Sequence, residues 1–417
     1  MKSIYSNRNV MVISLTSSVI MFFTQTYTPF WPLYLEAIGF SLPQIGLLTA
    51  IQGAEQFIFQ LPGGILADRI GRKKVSLIVA FERIFTPLIF LYFTSWEGIL
   101  FASLLRGFES IGGPAFQAIV AESLPKEKLG AGYGVYNMMQ RVPAVFTGVL
   151  GGILLDVYGV IEGTRMCFIG SSIIALIVFF ARYFFITETL NTNSRKNRNL
   201  RTEVTEVIPY FKGTLLGMLF ASAMTQFSFK IVSTYAVIYA VDIIGFSNTE
   251  WGVIVTIMNL LNLITSMPSG LMADRYDKRK LLSFTRAIEP ASTFGYILLR
   301  SFWQILAVRI FAGIGMGLAG GNTSGMLGGP AWFSLIAALV PPEKRGRVNG
   351  LMGTISGSLA FMAPYIAAYT WEITLIGPDG TMFFSGMLGL FSSVVIWFKV
   401  RDPDHASKAS SKVNERH

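Results

Sequence analysis

A short charged pattern is written twice in this chain, 206 positions apart. The first copy reads Gly64-x-Leu66-Ala67-Asp68-Arg69-x-Gly71-Arg72-Lys73-Lys74. The second reads Gly270-x-Met272-Ala273-Asp274-Arg275-x-Asp277-Lys278-Arg279-Lys280. Each copy closes one apolar run of helix length and opens another. The same offset carries Glu36, Gly39, Phe40 and Ser41 onto Asp242, Gly245, Phe246 and Ser247, and Pro62 onto Pro268. A chain copied in tandem has to fold as two versions of one architecture.

The medium of that fold follows from composition. Of 417 residues, 52% are hydrophobic and only 14% are charged, against about 25% charged in soluble domains. Apolar runs of about 20 residues recur along the whole length, enough to cross a hydrocarbon core of about 30 Å. The lipid bilayer is therefore the solvent, and the chain reads as a polytopic all-α membrane protein. The net charge of +10 sits in alternate short loops rather than on a continuous basic face, which argues against a nucleic-acid partner. The single cysteine, Cys167, lies in an apolar run and reads as a small buried residue. Both histidines, His405 and His417, fall in the polar tail. A histidine proton relay, a metal centre or a Ser-His-Asp site is thus excluded from the core. No cofactor motif is present, and no nucleotide-binding loop of the Walker type. The apolar stretch from Val10 to Leu35 exceeds the 7–15 residues of a signal-peptide core, and reads as the first span.

Twelve spans are expected, near 10–35, 42–66, 75–94, 97–121, 130–157 and 164–187 in the first half. The second half places them near 212–241, 249–273, 281–299, 302–340, 347–371 and 381–400. These make an N-terminal six-helix bundle (1–188), a linker (189–207), a C-terminal six-helix bundle (208–400) and a tail (401–417). The basic hairpins at 68–74, 126–128, 195–201, 274–280 and 343–347, with both tails, hold most of the 34 Lys and Arg residues. The opposite loops offer little beyond Arg165 and Arg300. By the positive-inside rule the basic side and both termini are cytoplasmic. Six spans per half give both halves the same orientation, related by an axis along the membrane normal.

A second repeat has a different offset. Gly112-Gly113-Pro114-Ala115-Phe116 returns 216 positions on as Gly328-Gly329-Pro330-Ala331-Trp332, and Asp156 returns as Glu372. The tenth span therefore carries an insertion, rich in glycine from Gly313 to Gly329. A continuous helix from Phe302 to Val340 would run about 58 Å. The expectation is a kink or interruption near Gly320–Gly325, either a flexible gate or close packing by small residues with the excess length protruding.

The duplicated hairpin resembles the signature loop of the major facilitator superfamily, which joins the second and third spans of these transporters. The first copy matches each signature position; the second departs at Asp277, where the pattern has glycine. The resemblance, through span count, duplication and loop charge, covers essentially the whole chain. It implies two pseudo-symmetric six-helix bundles that rock about a central site to give alternating access. It also implies that Asp68, with Arg69, Gly71 and Arg72, and Asp274 with Arg275 in the second copy, form a conformational latch. Topology and hairpin geometry alone are the other reading of these residues.

Arg106-x-x-Glu109-x-x-Gly112 looks like the family's second motif, echoed by Arg309-x-x-x-Gly313-x-Gly315. Charge at bilayer depth is costly unless paired or hydrated, and marks function by default. Arg106 and Glu109 are one turn apart and can pair. They form either an ion-coupling site, in which Glu109 takes up a proton beside Arg106, or a self-neutralising structural pair. Glu55 is a second proton-carrier candidate, set among Gln52, Gln56 and Gln60, which recur every four residues on one face. Asn262 takes the repeat position of Gln56, with Asn259 one turn away. Arg141 and Lys230 fall on spans the family places around the cavity. With Arg106 and Arg309 they outnumber the acids there, and suit a substrate with an anionic group. Glu82, Arg83, Arg286 and Glu289 read as pairs internal to each bundle. Pro143 with Thr147-Gly148 is similar to the glycine–proline signature of drug–proton antiporters, without its Gly-Pro step. Pro29 and Pro32 either bend the first span or belong to an interfacial aromatic belt.

The reading is a monomeric secondary transporter of small organic solutes in the plasma membrane, proton-coupled and leaning to efflux. Proton-coupled uptake of a small organic anion is the rival. A non-transporting sensor on the same fold lacks room for an output segment, and an intramembrane enzyme lacks its catalytic groups.

Overall fold

The computed structural model describes residues 7–124, 129–190, 205–318, 329–342, 344–373 and 375–402. Among them there is helix and no strand, because backbone in hydrocarbon must satisfy its hydrogen bonds within each segment. The first span is α1 (Arg8–Tyr27) and α2 (Trp31–Ala37), separated by a 3₁₀ turn at Thr28–Phe30. Pro29 and Pro32 open the turn and the following helix, where a missing N–H costs least. The second and third spans are α3 (Leu42–Ile70) and α4 (Arg72–Tyr92). The fourth is α5 (Trp96–Gly107) and α6 (Gly112–Glu122), joined through a 3₁₀ turn at Phe108–Ile111. The fifth is α7 (Leu129–Ala144) and α8 (Thr147–Tyr158), and the sixth is α9 (Val160–Phe185).

The second half repeats the plan. It runs α10 (Gly213–Ile238), a π-helical turn at Tyr239–Ile244, α11 (Asn248–Arg275) and α12 (Lys278–Leu298). The tenth span is α13 (Phe302–Leu318) and α14 (Pro330–Leu339). The interruption expected at Gly320–Gly325 lies outside the described residues. The eleventh span is α15 (Arg345–Ala360) and α16 (Ala363–Glu372), and the twelfth is α17 (Gly377–Lys399). Seven of the described segments are long and apolar enough to cross a membrane by length and composition alone.

The duplication is visible in fine detail. Gly39 and Gly245 both turn at positive φ (100° and 90°) just before the second span of each half. Two residues later the backbone N–H of Ser41 donates to the Gln44 side chain, and that of Ser247 to Glu250. Each pair is a local cap at the same place in its half. The fifth and eleventh spans break at Val145–Phe146 and Phe361–Met362, again 216 positions apart. Packing repeats as well. In the first half α1 packs on α7 and α9, and α4 on α9 and α5; in the second, α10 packs on α15 and α17, and α12 on α17 and α13.

The chain divides into two compact units, Met1–Lys196 with Ala240–Thr256 and Asn197–Tyr239 with Ile257–His417. Of the linker expected at 189–207, residues 191–204 lie outside the described residues. Close approach explains why the start of α11 belongs with the first unit. A Cβ on Gly252 would lie 2.2 Å from the Gly148 carbonyl oxygen, and one on Gly152 would lie 2.4 Å from that of Asn248. Only glycine permits that contact between α8 and α11. The Asp156 carboxylate, near the end of α8, accepts from the backbone N–H groups of Asn248 (3.0 Å) and Thr249 (2.8 Å), and from the Asn248 side chain (2.9 Å). A residue of one helix thus caps the N-terminus of another.

In the second unit, α17 is fastened by paired serines. The Ser228 hydroxyl donates to the Ser385 carbonyl (2.8 Å), and that of Ser385 donates back to the Ser228 carbonyl (3.0 Å). Ser283 and Ser393 make the same reciprocal exchange. Small hydroxylated side chains bring α10 and α12 close to α17, and each of these four serine hydroxyls finds an acceptor. Large side chains such as Phe180, Phe184, Phe311 and Phe398 stand outward on the surface, as a hydrocarbon solvent allows.

Candidate functional site

The repeated hairpin is built on helix termini. α3 ends at Ile70, Gly71 turns with φ 107° and ψ 152°, and α4 starts at Arg72. The free N–H groups of Arg72 (2.8 Å) and Lys73 (3.2 Å) donate to the Glu188 carboxylate, which lies just past the sixth span. A Cβ at Gly71 would meet Glu188 Oε2 at 2.3 Å, so glycine is required twice over, by conformation and by space. Arg72 pairs with Asp68 at 2.5 Å and Glu122 at 3.2 Å. Arg69 is exposed.

In the second copy Asp277 replaces glycine, and the structure gives the reason. Asp277 has φ −57°, and its carboxylate caps α12 by accepting from Arg279 N–H (2.9 Å) and Lys280 N–H (3.3 Å). Asp402, just past the twelfth span, accepts from Lys278 N–H (3.0 Å) and lies 3.5 Å from its ammonium. Glu188 and Asp402 therefore do the same work in the two halves: a carboxylate at a helix N-terminus, where the dipole and free donors favour it. Sequence reasoning passed over both. Their signal was being the first acidic residue after the last apolar run of each half. Arg275 is exposed, and the Asp274 side chain lies outside the described atoms.

The intramembrane charges of the first unit gather between α4 and the fourth span. Glu109 sits in the 3₁₀ turn Phe108–Ile111. Its carboxylate forms an ion pair with Arg83 of α4. The one-turn pairing expected with Arg106 gives way to this contact between helices. A 3₁₀ turn advances about 120° per residue instead of about 100°, which takes Glu109 out of the α-helical register of Arg106. Glu82, beside Arg83, accepts from the Thr86 hydroxyl. Tyr27, Glu82, Arg83, Arg106, Glu109 and Ser171 line one pocket among the first, third, fourth and sixth spans.

Glu55 of α3 is buried against the fourth span. A Cβ on Gly107 would lie 2.8 Å from the Glu55 carboxyl carbon, and Arg106 is within electrostatic reach. One Glu55 oxygen, Oε1, is buried without a hydrogen-bond partner among the described residues. Gln52, one turn earlier, donates to Ser103 of α5 at 3.4 Å. The Gln56 side chain lies outside the described atoms.

The second unit has a comparable knot. Arg286 and Glu289 of α12 are buried. Arg309 of α13 donates to the Ser292 hydroxyl (3.0 Å), approaches the Met258 sulfur (3.2 Å) and stands over the Tyr296 ring (5.3 Å). Its guanidinium is thus turned toward α12 and α11 of its own unit. Asn262 is buried where α11 meets α13, its carbonyl 2.8 Å from a Cβ built on Gly317. Asn259, Lys230 of α10 and Arg141 of α7 are partly buried. The two knots differ in access. Glu289 is buried, whereas Glu109 is partly exposed beside a pocket.

Arg182 of α9 is a further buried charge that the sequence reading did not single out. It is 1% exposed. It donates to Thr16 Oγ1 (3.1 Å), Ser17 Oγ (3.3 Å) and the Ser76 carbonyl (3.4 Å), and lies over the Phe116 ring (4.7 Å). It ties α9 to α1 and α4 through neutral acceptors.

Comparison with known proteins agrees with this architecture. The family model described as Major Facilitator Superfamily matches residues 13–247 and 218–417. Multidrug resistance protein MdtG of Proteus mirabilis is 26% identical, over 90% of this chain and 91% of its own length. The multi-drug resistance efflux pump PmrA of Streptococcus pneumoniae is 25% identical, over 61% of this chain and 64% of its own. Among solved structures, a mutant of the nucleoside transporter NupG superposes with a TM-score of 0.77, covering 94% of this chain and all of that one at 11% identity. The twelve-helix fold, its internal duplication and the match along nearly the whole length converge: the chain is a multi-pass membrane protein that belongs to the major facilitator superfamily of transporters.

Proposed function

We propose that this transporter exports small organic solutes in exchange for protons, with Glu109 as the proton carrier. The observation that carries the reading is the pocket in the first unit. There two carboxylates, Glu82 and Glu109, meet two guanidiniums, Arg83 and Arg106, at membrane depth. A carboxylate held by an arginine in such a place stores a proton-dependent ion pair. Protonation of Glu109 removes its charge and breaks its ion pair with Arg83. Arg106 lines this pocket and is also within electrostatic reach of Glu55. Efflux is supported by MdtG and PmrA, whose names describe drug resistance and efflux.

Within this reading Asp68, Arg69, Gly71 and Arg72, with Asp274 and Arg275, act as the latch of the hairpins on the cytoplasmic side. Glu122 and Glu188 complete it in the first copy. Gln52, Gln56, Arg141, Lys230, Asn259 and Asn262 are the candidates for contact with substrate. Arg309 is held inside its own unit by Ser292, which weakens the case for an anionic substrate that rested on counting four cations. The protein works as a monomer in the plasma membrane with both termini cytoplasmic.

Transport by the purified protein in proteoliposomes tests the proposal. An imposed pH gradient should drive uphill movement of a cationic or neutral drug against the proton flux. Glu109→Gln should abolish the gradient-driven component and leave downhill exchange in place. Accumulation that ignores the gradient in the wild type would refute proton coupling; accumulation unchanged in Glu109→Gln would refute this residue's role.

A further inference from the structure

The pocket among the first, third, fourth and sixth spans lies wholly within the first unit. Three atoms of its lining residues are buried without a hydrogen-bond partner among the described residues: Glu82 Oε2, Arg83 Nε and Ser171 Oγ. The pocket offers water about 30 Å³, room for about two molecules. Buried polar atoms unmet by protein, around a cavity of that size, are where ordered water sits.

The two acids of the pocket differ in their partners. Glu109 forms an ion pair with Arg83. Glu82 accepts from the Thr86 hydroxyl through one oxygen, and its other oxygen is bare. An ionised carboxylate held so at membrane depth is costly. The neutral acid is not, because its O–H can donate to a water. We propose that Glu82 holds a proton and shares it with Glu109 through water in this pocket. In the exchange, the Glu82 O–H gives its proton to a water, and that water passes one of its own to a Glu109 oxygen. Glu82 becomes the carboxylate and Glu109 the neutral acid. One proton moves, and the total charge of the pocket is unchanged. Arg83 Nε and the Ser171 hydroxyl hold the water in place.

The surroundings support the assignment. The titratable groups around Glu82 are Arg83 on its own helix, Arg106 and Glu109 of the fourth span, and Tyr27 of the first. On α9, Cys167 is buried one turn from Ser171, and Arg182 is occupied by Thr16, Ser17 and the Ser76 carbonyl. Arg106 does not serve the pocket alone. The Glu55 carboxyl packs against Gly107, the next residue. Three acids therefore meet two guanidiniums, and a single proton neutralises the excess charge. The duplication adds a second reason. Arg83, Pro87 and Arg106 return 203 positions on as Arg286, Pro290 and Arg309. Glu82 and Glu109 return as Thr285 and Ala312, and Glu289 takes the place of Thr86. Both halves keep the guanidinium frame, and at these positions the first half sets two acids on it where the second sets one.

The part this proton plays in transport rests on the reading of Glu109 as carrier; the sharing itself does not. Infrared absorption of the protein in lipid nanodiscs, without substrate or gradient, reads protonated carboxyls through their C=O stretch. At about pH 7, Glu82→Gln should remove one protonated-carboxyl band. Glu109→Gln should remove the same band, because Glu82 is then the one acid left in the pocket for Arg83. In heavy water the wild-type band should shift, and filling the pocket with Ser171→Leu should slow that shift about tenfold. Ser171→Val makes the same test with a smaller side chain. A spectrum unchanged by Glu82→Gln overturns Glu82 as the holder. A band lost in Glu82→Gln but kept in Glu109→Gln overturns the sharing. Exchange at the wild-type rate in both Ser171 variants overturns the water path. Transport that ignores the gradient while these bands behave as expected would remove Glu109 as carrier and leave the shared proton standing; gradient-driven transport without the bands would do the reverse.

Discussion

Glu109 is paired with Arg83 on the neighbouring helix and not with Arg106, one turn away on its own span. An ion pair between helices couples the third span to the 3₁₀ turn in the fourth. Arg83→Met removes the ion-pair partner of a partly exposed carboxylate and should cost about 1–2 kcal/mol, between the values for exposed and buried pairs. Arg83→Met combined with Glu109→Gln should recover part of it, with a coupling energy of roughly 1–3 kcal/mol by thermal unfolding. The cycle of Arg106→Met with Glu109→Gln should show a smaller coupling. Equal couplings in the two cycles would contradict the pairing.

Gly71 and Asp277 solve one problem in two ways, and their substitutions should differ. Gly71→Ala forces a Cβ onto φ 107° and against Glu188; it should cost about 1–3 kcal/mol. Asp277→Ala loses a helix cap and a 3.7 Å ion pair with Arg279, together about 1 kcal/mol, with no backbone strain because φ −57° suits any residue. Melting temperatures of the two variants in one detergent check the order.

Glu188→Ala and Asp402→Ala should each remove about 1 kcal/mol of capping. Glu188 caps α4 and Asp402 caps α12, so the double variant should lose the sum. A double variant no less stable than either single would show that these contacts do not hold the hairpins.

Asp156 caps α11 from α8 with three accepted hydrogen bonds. Asp156→Ala should speed amide hydrogen exchange at residues 248–250 about tenfold, with less effect at the Ser41 cap in the first half. Protection unchanged at 248–250 would place the cap elsewhere.

Arg182 donates to hydroxyls and a carbonyl and has no carboxylate partner among the described residues. Removing it leaves no orphaned counter-charge. Arg182→Met, similar in volume, should change stability by less than about 1 kcal/mol. Arg182→Ala should cost about 3 kcal/mol through the cavity it opens. Unfolding of both variants, compared side by side, separates packing from charge.

Length of apolar run, loop charge and tandem offset are properties of a one-dimensional string, and they determined the twelve spans and the family. The glycine–serine entry to each second span and the proline break in the first were legible for the same reason: caps and breakers act on their immediate neighbours. Which charge meets which was not legible. Arg106 is closer to Glu109 in sequence than Arg83 is, yet a single 3₁₀ turn and the position of α4 decide the pairing. Glu188 reaches Arg72 and Asp156 reaches Asn248, each across a hundred residues or so of chain. Such contacts depend on how helices lie against each other, and that is set by close-packed side chains and glycine approaches that no periodicity records.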